Sequence, residues 1–361
     1  MKPQITAFEN EGQRVVRFED STCGLSGVIA IDSLALGPAT GGCRFWHYDD
    51  VESMLVDARR LARGMSYKNA MAGLPLGGGK SVIQRPHGRF DRDTLFRSFA
   101  RVLNSLGGDY LAAEDVGTTP HDMEVVRSVS PHVLGLPSNG AMAGGDPSPW
   151  TALGVHLCIE HLLSRRGMTL AGSRIAVQGL GSVGADLCRK LHEGGATLVV
   201  ADVHDHAVER LLADVSAQVV SPDAIHCSDV DLFAPCALGG GLNPETIPHI
   251  QASMVVGAAN NQLATNADDD RLHARGILYA PDYVVNAGGI INVAAEYLGQ
   301  DQREVFDRVG RIPARLSAVL ERAQADKQSP SRVADAMARE LIEDAVPLVR
   351  SQDVRAGASH L

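Results

Sequence analysis

Two lysines, Lys68 and Lys80, lie twelve positions apart in a segment that could carry out acid–base chemistry. The residues between them are mostly small, and three consecutive glycines, Gly77 to Gly79, stand directly before Lys80. Such glycines allow close backbone approach and positive φ, so the pattern predicts a loop from which Lys80 reaches into a cleft. Two lysines in one cleft repel, which favours one as a general base and the other as a carboxylate-binding cation. The alternative is two solvated surface lysines beside a simple turn.

A pair of carboxylates, Glu114 and Asp115, follows the short apolar segment 110–113 and precedes a glycine and a Thr-Pro pair. The pattern predicts a strand that ends in the two carboxylates, followed by a helix that begins at the Thr-Pro pair. Side chains at the carboxyl end of a strand in an α/β protein usually face a crevice, so Glu114 or Asp115 is a candidate catalytic residue. The alternative is that either carboxylate only caps the next turn.

The segment 174–191 has the spacing of a dinucleotide-binding loop. Gly179, Gly181 and Gly184 form G-x-G-x-x-G after an apolar strand and before an amphipathic helix, and the next predicted strand ends in Asp202. The glycines allow a pyrophosphate to sit at the amino terminus of the helix. Asp202 would accept hydrogen bonds from the ribose hydroxyls and repel a 2′-phosphate, which favours NAD over NADP.

Several other functions are poorly supported by the sequence. The segment Gly77 to Ser81 resembles the end of a phosphate-binding P-loop, but that motif requires a glycine where Leu74 stands. The net charge of −10 argues against a nucleic-acid partner. His204 and His206 lack a matching set of carboxylates or cysteines, so we interpret them as surface histidines and predict no metal site.

Length and composition indicate a globular protein. The chain has 361 residues, enough for two domains, with 45% hydrophobic and 21% charged residues. No apolar run approaches the roughly 18 residues of a membrane span, and residues 1–10 lack the apolar region of a signal peptide. The six cysteines are scattered without a C-x-x-C pair, as expected of reduced thiols. We therefore expect a cytoplasmic protein with no membrane partner.

The order of apolar patterns predicts an α/β protein with a linker between its halves. Residues 138–151 are rich in Gly, Pro, Asn and Ser and are interpreted as this linker or hinge. The segment 301–349 is expected to contain two helices, split near residues 328–331. The other predicted helices cover 50–65, with Asp49 or Asp50 as N-cap, 92–106 and 150–165. The predicted strands lie in 25–31, 33–45, 81–83, 110–113, 175–177, 196–201, 230–237, 253–261 and 277–282.

Six long motifs are spread along the chain between residues 36 and 289: L-G-P-A-T-G-G-C-R (36–44), Y-K-N-A-M-A-G-L-P-L-G-G-G-K (67–80), A-E-D-V-G-T-T (113–119), G-D-P-S-P-x-T (145–151), F-A-P-C-A-L-G-G (233–240) and Y-A-P-D-Y-V-V-N-A-G-G (279–289). Together they resemble the family of leucine, valine, phenylalanine and glutamate dehydrogenases, and its leucine-specific members most closely. The resemblance implies an α/β fold with two domains separated by a deep cleft. The first would be a substrate-binding and oligomerisation domain over 1–140 plus a C-terminal helix at about 330–361, and the second a Rossmann-type NAD-binding domain over 141–329.

The resemblance also implies roles for individual residues. Lys68 would bind the substrate carboxylate, Lys80 would be the general base, and Asp115 would shuttle protons on the amine. The other substrate-binding residues would be Gly41, Gly42, Met65, Asn261, Thr40, Ala113, Ile290 and Val293. The NAD-binding residues would be Gly179, Leu180, Gly181, Ser182, Val183, Gly184, Asp202, Thr151, Ala258, Asn260 and Asn286. The protein would act on an amino acid, a 2-oxo acid and ammonia as a homo-oligomer between a dimer and an octamer.

The chemistry of these residues agrees with that role. Oxidative deamination needs a cation for the substrate carboxylate, a base for the amine or water, a carboxylate beside the iminium, and a hydride acceptor. Lys68, Lys80, Asp115 and the NAD site would supply them. The alternative is a non-catalytic NAD-binding protein on the same scaffold, since a fold alone does not establish activity. Such a protein would have no physical reason to retain all three side chains.

The side-chain pocket implied by the resemblance favours an aliphatic substrate. Its residues Thr40, Ala113, Ile290 and Val293 carry no charge, so a glutamate or lysine side chain would be desolvated without a partner. The β-branched residues should narrow it, which favours leucine, valine and isoleucine. Thr40 stands where leucine-specific enzymes have Leu, and Asn260 where they have Asp. The alternative substrate is an aromatic amino acid, phenylalanine or tryptophan.

Overall fold

The computed structural model describes residues 3–137 and 141–357, with side chains as far as residue 345. The predicted linker therefore lies partly outside the described residues, at 138–140. The chain divides into two compact units. The first comprises Met1–Asp146, Val293–Asp301 and Ala338–Leu361, and the second comprises Pro147–Asn292 and Gln302–Met337.

A six-stranded sheet organises the first unit. Its strands are β1 (Gln4–Asn10), β2 (Gln13–Asp20), β3 (Leu25–Ser33), β4 (Ala39–Trp46), β5 (Gly77–Gln84) and β6 (Tyr110–Glu114), in the order β1-β2-β3-β5-β4-β6. Strands β1, β2, β3 and β5 pair antiparallel, whereas β4 is parallel to both β5 and β6. The carboxyl ends of these last three strands therefore lie at one edge of the sheet.

Helices cover both faces of this sheet. They are α1 (Val51–Met71), α2 (Arg92–Ser105) and α3 (Pro120–Arg127). Ala58 of α1 shares an apolar cluster with Val28 and Ala30 of β3. Ile29 of β3 belongs to a larger cluster that includes Phe96 of α2. Because successive strand residues point to opposite faces, α1 and α2 pack on opposite sides.

Helix α1 is longer than the predicted 50–65. Its N-cap is Asp50, whose carboxylate accepts a hydrogen bond from the Ser53 N–H at 2.7 Å. The helix continues to Met71 because helix-compatible residues follow until Gly73, which has a φ of 63°. Lys68 therefore lies on the last turn of α1.

The loop predicted at Gly77–Gly79 is wrong. These glycines are buried residues of β5, and none of the three has a positive φ. A Cβ added to Gly78 would lie 2.1 Å from the backbone nitrogen of Ser66 in α1. Gly78 therefore allows helix α1 to pack closely on the strand, and Cβ atoms on Gly77 and Gly79 would meet Ser33 and Tyr110, so all three glycines serve close packing rather than a turn of the chain.

The hairpin of β1 and β2 was not expected from the sequence. Its turn residues Glu11 and Gly12 have φ values of 47° and 78°, as a tight two-residue hairpin turn requires. Val16 and Phe18 of β2 are fully buried, whereas β1 is almost entirely exposed. Strand β1 therefore forms an edge of the sheet whose side chains face solvent.

A parallel six-stranded sheet organises the second unit. Its strands are β7 (Arg174–Gln178), β8 (Thr197–Ala201), β9 (Ala217–Val219), β10 (Leu232–Pro235), β11 (Met254–Val255) and β12 (Leu278–Tyr279). Their order is β12-β11-β10-β7-β8-β9, and every pairing is parallel. The strand order reverses between β7 and β10. In such sheets the crevice at the carboxyl ends beside this reversal binds ligands.

The remaining helices are α4 (Ser148–Arg165), α5 (Ser182–Glu193), α6 (Asp205–Leu212), α7 (Asn266–Ala274), α8 (Asp282–Val285), α9 (Gly288–Tyr297), α10 (Gln302–Val309), α11 (Ile312–Asp326) and α12 (Pro330–Gly357). The prediction of two helices in 301–349 is wrong, because this segment contains α10, α11 and the first part of α12. The prediction treated α10 and α11 as one helix. Gly310 lies between them, and Pro313 stands in the first turn of α11, where its missing N–H costs no hydrogen bond. None of the helices in the described ranges has the length and apolarity that spanning a bilayer demands.

Candidate active site

The structure brings Lys80 and Asp115 into direct contact in the first unit. Lys80 lies in the middle of β5, and its side chain is only 6% exposed. Asp115 directly follows β6, and its Oδ2 atom lies 2.8 Å from Lys80 Nζ. The charge nearest to Lys80 is thus a carboxylate, and the ion pair joins β5 to the end of β6, two strands of one sheet that β4 separates.

Glycines on β4 make room for this ion pair. A Cβ on Gly42 would lie 2.6 Å from the Cβ of Asp115, and a Cβ on Gly41 would lie 1.8 Å from the carbonyl oxygen of Gly79. Real Cβ atoms do not approach other atoms so closely, so side chains at either position would force the strands apart. Gly41 and Gly42 therefore set the distance between Asp115 and the strand that carries Lys80.

Arg44 is a second cation on Asp115, and the sequence reasoning missed it. Its Nε lies 3.2 Å from Asp115 Oδ2, and its Nη1 lies 2.7 Å from Asp57 Oδ2. The Tyr48 hydroxyl donates to the same Asp57 oxygen at 2.6 Å. Arg44 follows Gly42 by two positions and so shares its face of β4. This spacing of two residues along a strand is the sequence signal that could have identified Arg44 as a residue of the site.

These contacts determine the charge of Asp115. Burial alone would raise the pKa of this carboxyl, but the positive charges and hydrogen bonds of Lys80 and Arg44 outweigh burial and lower its pKa. Both cations contact Oδ2, and Oδ1 accepts no hydrogen bond from the described side chains. Asp115 is therefore held as a carboxylate with one oxygen available to a ligand.

Glu114, the other candidate carboxylate, lies on the exposed side of the chain. Burial of part of its side chain raises its pKa, and the charges of Asp122 and Asp146 act in the same direction. No ion pair joins it to the described lysines or arginines. Of the two candidates, only Asp115 is placed beside Lys80.

The other expected substrate-binding residues of the first unit lie close to these strands. Lys68 is half-buried on the last turn of α1. A Cβ on Gly41 would lie 3.4 Å from Met65 Cγ, so Met65 packs beside the glycine pair. Thr40 is fully buried, and its hydroxyl donates to the Pro38 carbonyl at 3.4 Å. Half-buried Ala113 of β6 pairs with Gly42 of β4, and Val293 is buried in α9. Asn261, which was also expected to bind the substrate, belongs to the second unit.

The G-x-G-x-x-G segment forms a tight turn from β7 into α5. Gly179 has a φ of 95°, a conformation that favours glycine. A Cβ on Gly184 would lie 2.0 Å from the Gly179 carbonyl oxygen, so this position also requires glycine. A Cβ on Gly181 would meet no atom within 4 Å. Gly181 therefore borders open space at the start of the helix.

Asp202 braces this turn. Its Oδ2 accepts a hydrogen bond from the Leu180 N–H at 2.6 Å, and its Oδ1 accepts one from the His204 N–H at 2.8 Å. Helix α5 begins at Ser182 with no side-chain cap, which leaves the first N–H groups of α5, including that of Val183, available to an anion. A helix start with open N–H groups, open space at Gly181 and a nearby carboxylate fit a dinucleotide.

In the second unit, the buried Asn286 contacts the exposed Asn260. Asn286 Nδ2 donates to the Ala258 carbonyl at 3.0 Å and to Asn260 Oδ1 at 2.9 Å. Asn286 Oδ1 is buried and has no hydrogen-bond partner among the described residues. An amide held on one side and unsatisfied on the other fits a site that receives a polar ligand group.

Three other residues expected near the ligands lie in the second unit. The Thr151 hydroxyl donates to the Pro147 carbonyl at 3.0 Å and would lie 2.8 Å from a Cβ on Gly289. Ile290 follows directly in the first turn of α9 and is half-buried. Asn261 has a φ of 52°, a left-handed conformation that asparagine tolerates better than most residues.

Metal-binding clusters are absent from the described residues. No group of three or more His, Cys, Asp or Glu side chains in those ranges could hold a metal ion. His204 and His206 are exposed, with ring centroids 5.4 Å apart.

The fold and the site define an amino-acid dehydrogenase. The chain belongs to the Glu/Leu/Phe/Val dehydrogenase family, as the resemblance predicted. The family's dimerisation domain matches residues 12–130, and the Glutamate/Leucine/Phenylalanine/Valine dehydrogenase domain matches 146–208 and 203–345. The predicted α/β fold with a Rossmann-type domain and the predicted enzyme class are both confirmed.

Relatives with different names resemble the chain about equally. A leucine dehydrogenase of Bacillus subtilis is 44% identical over 92% of this chain and 91% of its own length. A valine dehydrogenase of Streptomyces virginiae is 42% identical over 92% and 94%, respectively. The crystal structure of an L-tryptophan dehydrogenase from Nostoc punctiforme is 40% identical, with a TM-score of 0.81 over 92% of this chain and 97% of that one.

Proposed function

We propose that the protein catalyses the reversible, NAD-dependent oxidative deamination of a branched-chain L-amino acid to the 2-oxo acid and ammonia. Leucine would be the preferred substrate, with valine and isoleucine also accepted. The buried Lys80–Asp115 ion pair, 2.8 Å between Nζ and Oδ2, is the observation that supports the chemistry. The leucine and valine dehydrogenases among the relatives support the substrate class.

Different side chains of the first unit would bind the substrate and transfer protons. Lys68 would bind the substrate carboxylate, aided by the backbone of Gly41 and Gly42. Asp115 would meet the substrate amine with Oδ1, because Lys80 and Arg44 already engage Oδ2. Lys80 would first give up the proton of its ammonium form and then, as a neutral amine, take a proton from the water that adds to the imine. Its contact with Asp115 provides a direct path for proton exchange between them.

The second unit would hold NAD. The open N–H groups at the start of α5 would contact the pyrophosphate, and Asp202 would accept hydrogen bonds from the ribose. Thr151 and Asn286 would lie by the nicotinamide, and Asn260 would also bind the cofactor. NAD⁺, when bound, accepts the hydride from the substrate Cα. The negative charge of Asp202 would disfavour the 2′-phosphate of NADP.

Thr40 bears on the choice of substrate. Its hydroxyl donates to a backbone carbonyl, so the O–H hydrogen of this side chain is not free for a substrate. A pocket of Thr40, Ala113, Ile290 and Val293 would suit an aliphatic side chain. The second candidate is an aromatic amino acid, because Thr40 is smaller than leucine and a tryptophan dehydrogenase is among the relatives.

A substrate panel tests the proposal. We expect kcat/KM for leucine to exceed that for phenylalanine and tryptophan, with valine and isoleucine within about 10- to 200-fold of leucine, since a methylene group contributes about 1–3 kcal/mol to discrimination. Thr40→Val, which replaces the hydroxyl with a methyl group, serves as the matched control for Thr40→Leu. A higher kcat/KM for tryptophan, reversed by Thr40→Leu, would establish the aromatic candidate instead.

The first unit would also mediate oligomerisation, with a homo-oligomer between a dimer and an octamer. The dimerisation-domain match over 12–130 supports this, as do the exposed edge strand β1 and its Ile5 and Phe8, which are 38% and 39% exposed. Light scattering after size exclusion would measure the mass, and a monomer at micromolar concentration would contradict the proposal. A cytoplasmic location stays a prediction.

A further inference from the structure

A cavity of about 420 Å³ lies within the second unit, apart from the residues considered above. The end of α4, the start of β12, the last turns of α11 and the start of α12 form it. Leu162, Ile277 and Ala323 make a buried apolar wall. This volume exceeds what an inorganic ion needs and falls in the range of small-molecule sites, roughly 300–1,000 Å³.

The cavity lies at the edge of the sheet opposite to the G-x-G-x-x-G turn. Gly179 follows the carboxyl end of β7. In contrast, Leu278 begins β12, and Arg166 bonds to Ser253, which directly precedes β11. Because the sheet is parallel, residues that precede strands and residues that follow them lie at opposite edges. The cavity is therefore distinct from the proposed NAD site.

Three basic side chains line the cavity, namely Arg165, Arg166 and His273. Of the two arginines, only Arg165 has an ion-pair partner among the described side chains, Glu321 at 3.7 Å. Arg166 donates through Nη1 to the Ser253 hydroxyl and through Nη2 to the Ser253 carbonyl at 3.4 Å. These neutral bonds orient the Arg166 guanidinium and leave its other N–H groups for an anion.

Two simpler explanations of this charge do not suffice. Arginines at the carboxyl end of a helix often only offset the helix dipole, but the side-chain bonds of Arg166 go to Ser253 and not to carbonyls of α4. The amino terminus of α12 is also positive, but the Asp269 carboxylate already accepts a hydrogen bond from the Ser331 N–H at 3.1 Å. The positive charge that remains for a ligand belongs to the arginines.

We propose that this cavity binds a small organic anion that carries a carboxylate or phosphate head group on an apolar body. Arg166 and Arg165 contact the head group, and Leu162, Ile277 and Ala323 contact the apolar body. A bare anion leaves the apolar wall in contact with water, and a neutral apolar molecule leaves the guanidinium groups without a charged partner. Both parts are needed for binding.

Calorimetric titration of the cofactor-free protein tests the ligand class. The probes are hexanoate and phenyl phosphate, and the controls are acetate and inorganic phosphate, which have the head groups alone. We expect saturable binding of at least one probe, with its head-group control at least about tenfold weaker because each buried CH₂ contributes about 0.8 kcal/mol. Failure of both probes to bind, or equal binding of probe and control, would overturn the proposal.

Variants locate the bound probe. Arg166→Ala should weaken binding about tenfold or more, the loss expected for a charged hydrogen bond, and Ala323→Leu should block binding by filling the cavity while both arginines remain. The affinity of Arg165→Ala for the probe is compared with that of Arg189→Ala, which is the control because Arg189 lies outside the cavity. The two arginines are otherwise matched, because each has one carboxylate partner and their side chains are 39% and 41% exposed. Circular dichroism verifies that each variant is folded.

The Lys68→Ala variant separates this cavity from the proposed substrate site. We expect Lys68→Ala to bind the probe as the wild type does. If Lys68→Ala loses binding while Arg166→Ala and Ala323→Leu keep it, the probe occupies the substrate site and the cavity proposal is wrong. That result would leave the proposed deamination intact.

Discussion

Two glycine-rich segments, 77–79 and 179–184, look alike in sequence but differ in the structure. In the first, the glycines form part of a strand, and a Cβ on Gly78 would collide with Ser66 of a covering helix. In the second, Gly179 adopts a positive φ, and a Cβ on Gly181 would meet nothing within 4 Å. Glycine thus serves tight packing in one segment and backbone freedom beside open space in the other.

The difference has a chemical consequence. Close packing around 77–79 buries the strand that carries Lys80, so this side chain is held against Asp115 without relying on a flexible loop. The turn at 179–184 leaves N–H groups open, which suits an anion that arrives from solvent. One segment therefore positions a side chain, and the other presents its own backbone.

The largest expected effect separates turnover from cofactor binding. Lys80→Ala should lower kcat by roughly 10²–10⁴-fold, since it removes the proposed general base, while the dissociation constant for NAD, measured by fluorescence titration, stays close to wild type. Lys190→Ala is the matched control. Lys190 also pairs with a carboxylate, Asp186 at 3.6 Å, but both residues belong to α5 and neither is a proposed catalytic residue. Wild-type kcat in Lys80→Ala would remove Lys80 from the mechanism.

The next effect is on stability and tests the comparison directly. Gly78→Ala should lower the free energy of unfolding by about 3 kcal/mol, because the new methyl group overlaps Ser66 and α1 must move. Gly181→Ala should change it by no more than about 0.5 kcal/mol, since the added Cβ meets nothing. Urea denaturation measures both, and equal losses would mean that the two segments use glycine for the same reason.

A smaller effect concerns the choice of cofactor at the second segment. Asp202→Asn keeps an oxygen that can accept the Leu180 N–H but removes the negative charge. We expect kcat/KM for NADP relative to NAD to rise about tenfold, a change of about 1.4 kcal/mol. Asp205→Asn, three residues further on in α6, is the control. An unchanged ratio would show that Asp202 does not oppose the 2′-phosphate.

The smallest effect is a shift in pH dependence. The pKa of Asp115 is lowered in the folded protein, so its charged form stabilises the fold above the unfolded pKa of about 3.9, and this contribution is lost as pH falls through the folded value. Arg44→Met removes one of the two cations, so the folded pKa should rise. The acid limb of kcat/KM and the midpoint of acid unfolding should both move to higher pH.

Matched variants identify the cause of that shift. Arg44→Lys should largely restore the wild-type profile, because it returns a positive charge near Asp115. Arg60→Met serves as the control, since Arg60 contacts Asp57 but does not contact Asp115 in the structure. A profile that stays at the wild-type pH in Arg44→Met would show that Lys80 alone sets the charge of Asp115.

Sequence reasoning succeeded where the signal was local. The turn at 179–184 was predicted because strand, glycine spacing, helix and Asp202 all occur within about 30 residues. Glu114 and Asp115 were both candidates for the same reason, as carboxylates at a strand end, and only the family resemblance selected Asp115. Asp50, one of two suggested N-caps, was also correct because capping depends on neighbouring residues.

Sequence reasoning failed where the residues in contact are far apart along the chain. Arg44 reaches Asp115 across 71 positions, through the pairing of β4 with β6. Gly78 was assigned to a loop because its partner, Ser66, lies on a helix whose packing no local pattern reveals. A glycine that clears space for a distant neighbour looks the same in sequence as a glycine that turns the chain.

The division of the chain into units has a consequence for the order of folding. The second unit begins and ends inside the first, which resumes at Val293 and again at Ala338. During synthesis, the segment Pro147–Asn292 is therefore complete well before the last part of the first unit leaves the ribosome. The strands that carry Lys80 and Asp115 are made first, yet the unit that contains them is the last to be completed.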